Sequence, residues 1–391
     1  MSNTDRTDTS FADYLDSFTY ESILQRMLNT VPESLDKREG SIIWDALAPA
    51  AAELAQMYIQ LKSILINTYP RTAVGQYLDL KVEEQGLSRR LATYAVKLGT
   101  FVLPDDSPAV IPIGSRFSTV SDTNAVNYTV TKAYEIGGVV QAGQYELTCE
   151  EAGTVGNSYT GNLLPISNVV NLKSATLSTL IIPASDTETD DELYARFLEK
   201  INEESFGGNV AQYREWISGI DGVGAVQVYP VWNGGGTVKC VIIGADFNPA
   251  SQELIDIVQE KIDPVLNQGE GLGQAPIGHS VTVGTATNFS IDVTIDVTAE
   301  AGYTADQIKT LVEPILEEYM LSLRKSWGNP SALNNYSIGV YRANIIAELI
   351  AVPQIINITE VRLNGALADI TLTETAATQQ LPQLGTVVVN V

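Results

Sequence analysis

Histidine is almost missing from this chain: His279 is the only one in 391 residues. A Ser-His-Asp or Cys-His catalytic site would have to use that single ring, and a metal site of several histidines cannot be built. Cysteine is equally scarce. Cys149 and Cys240 stand far apart with no CxxC pair, which speaks against a zinc cluster or a redox motif. No apolar run approaches the ~20 residues of a membrane helix. The start, Met1-Ser2-Asn3-Thr4-Asp5-Arg6-Thr7-Asp8, is polar with no apolar stretch behind it. It does not read as a secretory signal, so the chain is expected to be made in a cytoplasm and to stay soluble. Basic residues are few, 23 against 47 acidic, for a net charge of −24. A surface this acidic repels phosphate backbones and argues against nucleic-acid binding. It also keeps a free subunit soluble until a specific partner covers it, although solubility alone is a competing explanation. Phenylalanine, with 8 residues, is outnumbered by 17 tyrosines. Tyrosine is enriched at protein interfaces, where an apolar ring and a polar tip are both useful.

What is present suits a globular protein. Hydrophobic residues make up 45%, and at roughly 150 residues per domain the length suggests two or three domains. A first helix is predicted from Tyr20 to about Val31, capped by Thr19, with Ile23, Leu24, Met27, Leu28 and Val31 on one face. In the next helix Trp44, Leu47, Ala51, Leu54, Tyr58, Leu61 and Leu65 are spaced 3, 4, 3, 4, 3, 4, a heptad seam. Pro49 lies off the seam, so the helix either kinks there or starts in earnest there. The seam has two readings: packing inside its own domain, or a bundle with helices of other chains. A third helix is predicted from about Ala73 to Gln85, with Thr72 as cap and Gly86 as stop.

The period then changes. Val96, Leu98, Thr100 and Val102 alternate with Lys97, Gly99 and Phe101, and Tyr128, Val130, Lys132, Tyr134 and Ile136 alternate likewise. This predicts a domain of short antiparallel strands. Helices resume at Asp190, where Thr189 and Glu192 form a capping box. The carboxylates Asp186, Glu188, Asp190 and Asp191 resemble a cation site, but acidic residues before a helix N-terminus are explained by its dipole. A helix with Tyr213, Trp216 and Ile217, strands Ala225–Tyr229 and Thr237–Ile243, and a helix through Leu254, Val258 and Ile262 follow. The glycine-rich run Gly269–Pro276 lacks the Lys-Ser/Thr ending of a phosphate loop, and Glu270 would repel a phosphate. Later come a strand Phe289–Thr298, a long helix capped by Thr304 and Gln307, and a strand Ile355–Leu363. That strand turns at Asn364-Gly365, a hairpin signal. The junctions Ile217–Val228 and Ile350–Val361 look alike, and an internal duplication or coincidence would each explain this.

The fold class expected is α+β multidomain: an N-terminal helical region (1–91), a middle antiparallel β domain (92–185), and C-terminal α/β units (186–285 and 286–391), duplicated on one reading. The polar stretches Gln85–Ala92 and Pro183–Thr189 are candidate joints. No catalytic, cofactor-binding or metal-ligating residue is assigned. The candidate interface is the helical seam of Trp44, Leu47, Leu54, Tyr58, Leu61 and Leu65.

Several segments together resemble the Baseplate J-like family of contractile-tail wedge proteins. They are Thr187-Glu188-Thr189-Asp190-Asp191-Glu192-Leu193 with Arg196-Phe197, Gly207-Gly208-Asn209-Val210-Ala211-Gln212-Tyr213, and Gly222 through Pro230. Gly269–His279 and Gly75-Gln76-Tyr77-Leu78-Asp79 extend the likeness, which covers the chain from about residue 20. Each motif is a cap, a glycine or a turn; their order and combination carry the resemblance. It implies a structural component of the inner baseplate ring in a phage tail or tail-like particle, helping to trigger or transmit sheath contraction. It also implies a bundle with a second copy of itself and a second wedge protein, and contacts to neighbouring wedges, the central hub and sheath-initiator proteins. No cofactor, nucleic acid or membrane insertion is implied. Such a protein is assembled in the bacterial cytoplasm and is extracellular after release. The family has no catalytic residues to carry over, so the chain is expected not to be an enzyme. The alternatives are an exported adhesin or glycan-binding tail protein and a tail-associated peptidoglycan hydrolase.

Overall fold

A computed structural model of the chain describes residues 9–120, 125–136, 138–202, 207–330 and 336–391; the polar start Met1–Asp8 lies outside the described residues. The architecture is α+β and multidomain, as expected, with helices first and sheets after them. The chain divides into two compact units, Met1–Leu91 with Glu188–Glu203, and Ala92–Thr187 with Glu204–Val391.

In the first unit, Thr19 and Ser41 accept from the Ser22 and Trp44 amides and so cap α1 (Tyr20–Thr30) and α2 (Ile42–Thr68). α2 starts at that cap and runs through Pro49. Ile23, Leu24 and Leu28 of α1 meet Ala51 of α2, with Trp44, Leu47, Leu54 and Tyr58 packed half-buried around them. α3 (Gln76–Glu83) starts later than a cap at Thr72 would place it. The Thr72 hydroxyl instead donates to the Ile66 carbonyl and closes α2. Gly86 does stop α3: it sits at φ +71, and the Leu87 amide reaches back to the Val82 carbonyl.

In the second unit the middle strands form a closed antiparallel barrel. These are β1 (Val96–Val102), β2 (Arg116–Thr119), β3 (Asn127–Ile136), β4 (Val139–Cys149), β5 (Gly161–Pro165) and β6 (Ser174–Ile182), in the order β1-β4-β3-β2-β5-β6. Closure removes free strand edges. Between β4 and β5 lies a single helical turn, α4 (Val155–Ser158). The inward face of β1 is Lys97, Gly99 and Phe101, the opposite of what its Val and Leu positions suggest. A Cβ at Gly99 would lie 2.4 Å from Leu147 Cδ1, so only glycine leaves room for the interior. Lys97 is buried and donates to the Asn157 and Tyr159 carbonyls at the end of α4.

The next helix, α5 (Asp190–Asn202), belongs to the first unit. The capping box at its start is present: the Thr189 amide donates to the Glu192 carboxylate, and the Glu192 amide to the Thr189 hydroxyl. Leu193 and Phe197 pack on Leu78 and Val82 of α3. The sequence pattern groups this helix with the α/β segment that follows it, but its apolar face is used by the helical unit.

Returning to the second unit, α6 (Val210–Ser218), β7 (Val223–Pro230), β8 (Thr237–Gly244), α7 (Gln252–Ile262) and β9 (Ser280–Thr285) form a central lobe. β8 pairs antiparallel with β7 and parallel with β9. Tyr213, Ile217, Leu254, Val258 and Ile262 cover one sheet face. The C-terminal lobe contains β10 (Thr287–Ala299), α8 (Ala305–Lys325), β11 (Ser337–Val340), α9 (Arg342–Leu349), β12 (Ile355–Leu363), β13 (Ile370–Thr373) and β14 (Gln380–Asn390). Its main sheet has the order β12-β10-β14, and α8 and α9 close the core over it. The capping box of Thr304 and Gln307 is formed, and α8 runs through Pro314.

The turn at Asn364-Gly365 has the expected conformation, with φ +48 and +77. It does not make a hairpin of neighbouring strands. β12 pairs with β10, and β13 pairs with β11. The Asn364 side chain and amide are bonded to Asp292 of β10, so the turn is fixed to β10 while the chain leaves for β11. The two similar junctions hold similar places: β7 and β12 each follow a helix and lie antiparallel to the middle strand of their sheet. The other elements enter in a different chain order, which a simple tandem copy would not give.

Candidate functional site: an uncovered helical face

The first unit is where the chain leaves most obviously unfinished business with water. On α2, Trp44, Leu47, Ala51, Leu54 and Tyr58 are drawn toward α1, and Tyr58 stacks on Phe18 with ring centroids 4.2 Å apart. Leu65 is half-buried, and Leu61 is 47% exposed. The structure thus brings together five seam positions within one chain and leaves Leu61 facing solvent.

Beside Leu61 lie residues that the single seam missed. Met57 is 61% exposed and Ile64 65%, while Ile59, on another side of the helix, is 63% exposed. A second heptad phase explains most of this: Leu47, Ala50, Leu54, Met57, Leu61 and Ile64 are spaced 3, 4, 3, 4, 3 and share three members with the first. A helix with two overlapping apolar seams can be covered by α1 on only one of them. Counting both phases in the sequence would have found the second face.

A groove of about 860 Å³ opens on another side of α2, lined by Leu15, Phe18, Tyr58, Ile59, Ile66 and Val74. Its polar lining is Asp16, Lys62, Asn67, Asp190 and Asp191, among others. Lys62 is already held by Asp13 and Asp16, at 3.3 and 2.6 Å.

A charged cluster holds the far end of the unit together. Arg89 bridges Asp79 and Asp190 at 2.7 and 2.6 Å, and Arg196 grips the buried Glu188 at 2.6 Å. The Arg90 amide also donates to Glu188. Burial by itself would raise the Glu188 carboxyl, but the bonds from Arg196 and the Arg90 amide outweigh it and hold it below its ordinary value. The stretches expected to be joints are therefore bonded along their length. In the first unit the Glu188 amide donates to the Arg90 carbonyl and the Arg90 amide to the Glu188 carboxylate, and in the second the Thr93 amide donates to the Ser185 carbonyl.

The chemistry weighed from the sequence does not assemble. The Asp186 carboxylate accepts from Thr154, Glu188 from Arg196, and Asp190 from Arg89 and the Gly75 amide. Among the described residues no group of three His, Cys, Asp or Glu side chains could hold a metal ion. His279 shares a 2.9 Å hydrogen bond with the Tyr213 hydroxyl. Both cysteines are buried, and burial pushes their thiols up, away from the reactive thiolate. In the glycine-rich loop the Gly269 amide donates to the buried Asp263 carboxylate rather than outward to an anion. No helix among the described residues is long and apolar enough to cross a membrane.

Comparison with known proteins follows the same division. Residues 100–183 match the model of the Baseplate J-like protein barrel domain, and residues 205–285 that of the Baseplate J-like central domain. The chain is 36% identical over 373 residues to the "Uncharacterized protein YqbT" of Bacillus subtilis (strain 168), covering 94% of this chain and 97% of that one. It is 35% identical over 374 residues to the phage-like element PBSX protein XkdT of the same organism, with the same coverage of 94% and 97%. Baseplate protein gp47 of Escherichia phage Mu is 26% identical over 275 residues, covering 68% of this chain and 72% of that one. A chain of the anti-feeding prophage baseplate, solved by cryo-EM, aligns at 14% identity with a TM-score of 0.35, over 94% of this chain and 99% of that one. A score that low carries no argument.

Proposed function

We propose that this chain, which belongs to the Baseplate J-like family, is a structural wedge subunit of a contractile tail baseplate. Its first unit bundles with helices of a second copy and of a second wedge protein. Its second unit meets neighbouring wedges, the hub and sheath-initiator proteins, and takes part in triggering or transmitting sheath contraction. The subunit is assembled in the bacterial cytoplasm and becomes extracellular when the particle is released. It acts by binding and changing place, not by catalysis.

The observation that supports this most directly is the second seam of α2. Met57, Leu61 and Ile64 put a row of aliphatic groups into water at helical spacing. An added helix burying that row would gain roughly 25 cal/mol per Å² of apolar surface. Bending at Gln85–Ala92 and Pro183–Thr189 would, on this reading, require the paired stretches to move together.

The test is co-expression with the neighbouring tail genes. The double substitution Met57→Asp and Ile64→Asp puts two charges into the proposed contact without touching the α1–α2 core. Co-purification of the helical partner should be lost, while the variant keeps the circular dichroism and melting behaviour of the unaltered chain. Recovery of the partner at undiminished yield would remove α2 from the interface.

A further inference from the structure

The central lobe and the C-terminal lobe of the second unit meet through an apolar contact in which Val241 and Ile243 face Trp327, Ile338 and Leu381. The polar groups around it are mostly satisfied. Lys239 on β8 donates to the Ala376 carbonyl at 2.7 Å and to Gln379 at 3.2 Å. Gln227 donates to the Trp327 carbonyl at 2.9 Å, and the Val228 amide donates to the Tyr336 hydroxyl at 3.1 Å.

Glu374 is the exception. It is 6% exposed. Its Oε2 accepts from the Gln380 amide at 2.7 Å, while its Oε1 is buried with no partner among the described residues. The titratable groups around it are Tyr229 from β7, Tyr336 ahead of β11 and Lys239 from β8. The Tyr229 hydroxyl is committed to Gln227 at 2.5 Å, and Lys239 to the loop that follows Glu374. Among the described residues no cation pairs with this carboxylate.

We propose that Glu374 is a proton-operated catch between the central and C-terminal lobes: the junction is tight while the carboxyl carries its proton and loosens when it ionises. A neutral acid fits a buried pocket with one donor, whereas a carboxylate there has a charge and an oxygen left uncompensated. Burial raises Glu374 to about 7, against the smaller lowering by the Gln380 amide. The sign follows. The folded chain holds this proton more tightly than the unfolded chain, so the junction loses stability as pH rises from the ordinary 4.5 through about 7 and changes no further above that. The catch does not depend on the role in assembly.

Hydrogen exchange on the full chain at about pH 6 and about pH 8.5, corrected for the intrinsic rate, reads the catch directly. Peptides spanning β7 and those spanning Thr373–Leu381 should lose protection by about tenfold or more, as expected for a displacement of at least one pH unit. Barrel peptides from β3 and β4 should show no such change. Glu374→Gln removes the charge and should make the junction insensitive to pH, and Glu374→Met should do the same whatever its baseline protection. Lys239→Met should leave the pH dependence in place. An unaltered chain with pH-independent junction peptides would overturn the proposal. So would a Gln variant that keeps the dependence, or a dependence that disappears with Lys239.

Discussion

Two long helices in this molecule are put together differently. α2 has 27 residues and buries only Ala51, whereas α8 has 21 and buries Ile308, Val312, Leu316, Tyr319 and Met320. α2 is nevertheless the more apolar in composition, with charged side chains only at Asp45, Glu53 and Lys62. α8 carries a charged face and an apolar face, as a helix does when its own domain supplies everything it packs against. α2 carries more apolar surface than α1 can cover. The difference is that the apolar face of α8 is covered within its own lobe, while Met57, Leu61 and Ile64 of α2 stay exposed.

The largest effect should come from α8. Leu316 is fully buried in the core of the C-terminal lobe, and Leu316→Ala should cost about 2–5 kcal/mol, the range for emptying a packed aliphatic site. Urea unfolding followed by tryptophan fluorescence would measure it, because Trp327 lies at the neighbouring junction. A loss under about 1 kcal/mol would mean that the lobe relaxes around the hole, and the contrast with α2 would narrow.

Glu188 should come next, because the first unit depends on polar bonds where its apolar core is thin. Glu188→Gln leaves Arg196 without its carboxylate and should destabilise that unit by about 1.5–3 kcal/mol at neutral pH. The pH dependence sharpens this. A carboxyl held below its ordinary 4.5 contributes stability that is present above that value and lost as pH falls through the folded value. The gap between the two proteins should therefore close on acidification. A gap that stays constant down to about pH 3 would show that Glu188 contributes by shape and not by charge.

Much of the architecture is legible in the sequence because it rests on local rules. Thr19, Ser41, Asn209, Ser251 and Thr304 accept at helix starts, and such caps depend on residues only three apart. The switch from helical to alternating periods at Ala95 is equally local. What the sequence hides is set by distant partners. The inward face of β1 is decided by Leu147 on the neighbouring strand β4 and by the carbonyls that hold Lys97, not by which of its own residues are most apolar. The strand after Asn364-Gly365 is claimed by β11. α5 goes to α3 because Leu78 and Val82 are available there. The candidate site was half legible: one heptad phase stands out through Trp44 and Tyr58, and the overlapping phase through Met57 and Ile64 needs the structure to show that α1 leaves it bare.

The smallest stability effect makes the sharpest test of the comparison. Met57 and Ile64 are more than half exposed, so in the isolated chain they have little to lose on truncation. Alanine is also the strongest helix former, which offsets any lost contact with neighbouring turns. Met57→Ala with Ile64→Ala should therefore change the unfolding free energy by no more than about 0.5 kcal/mol, as for surface positions generally. The same pair should weaken capture of the helical partner, since the aliphatic surface removed is what the partner would cover. Chemical denaturation and co-purification on one preparation read both quantities. If the isolated chain instead loses 2 kcal/mol or more, a size that belongs to packed sites, the second seam is already covered without a partner. α2 would then be complete in itself, as α8 is.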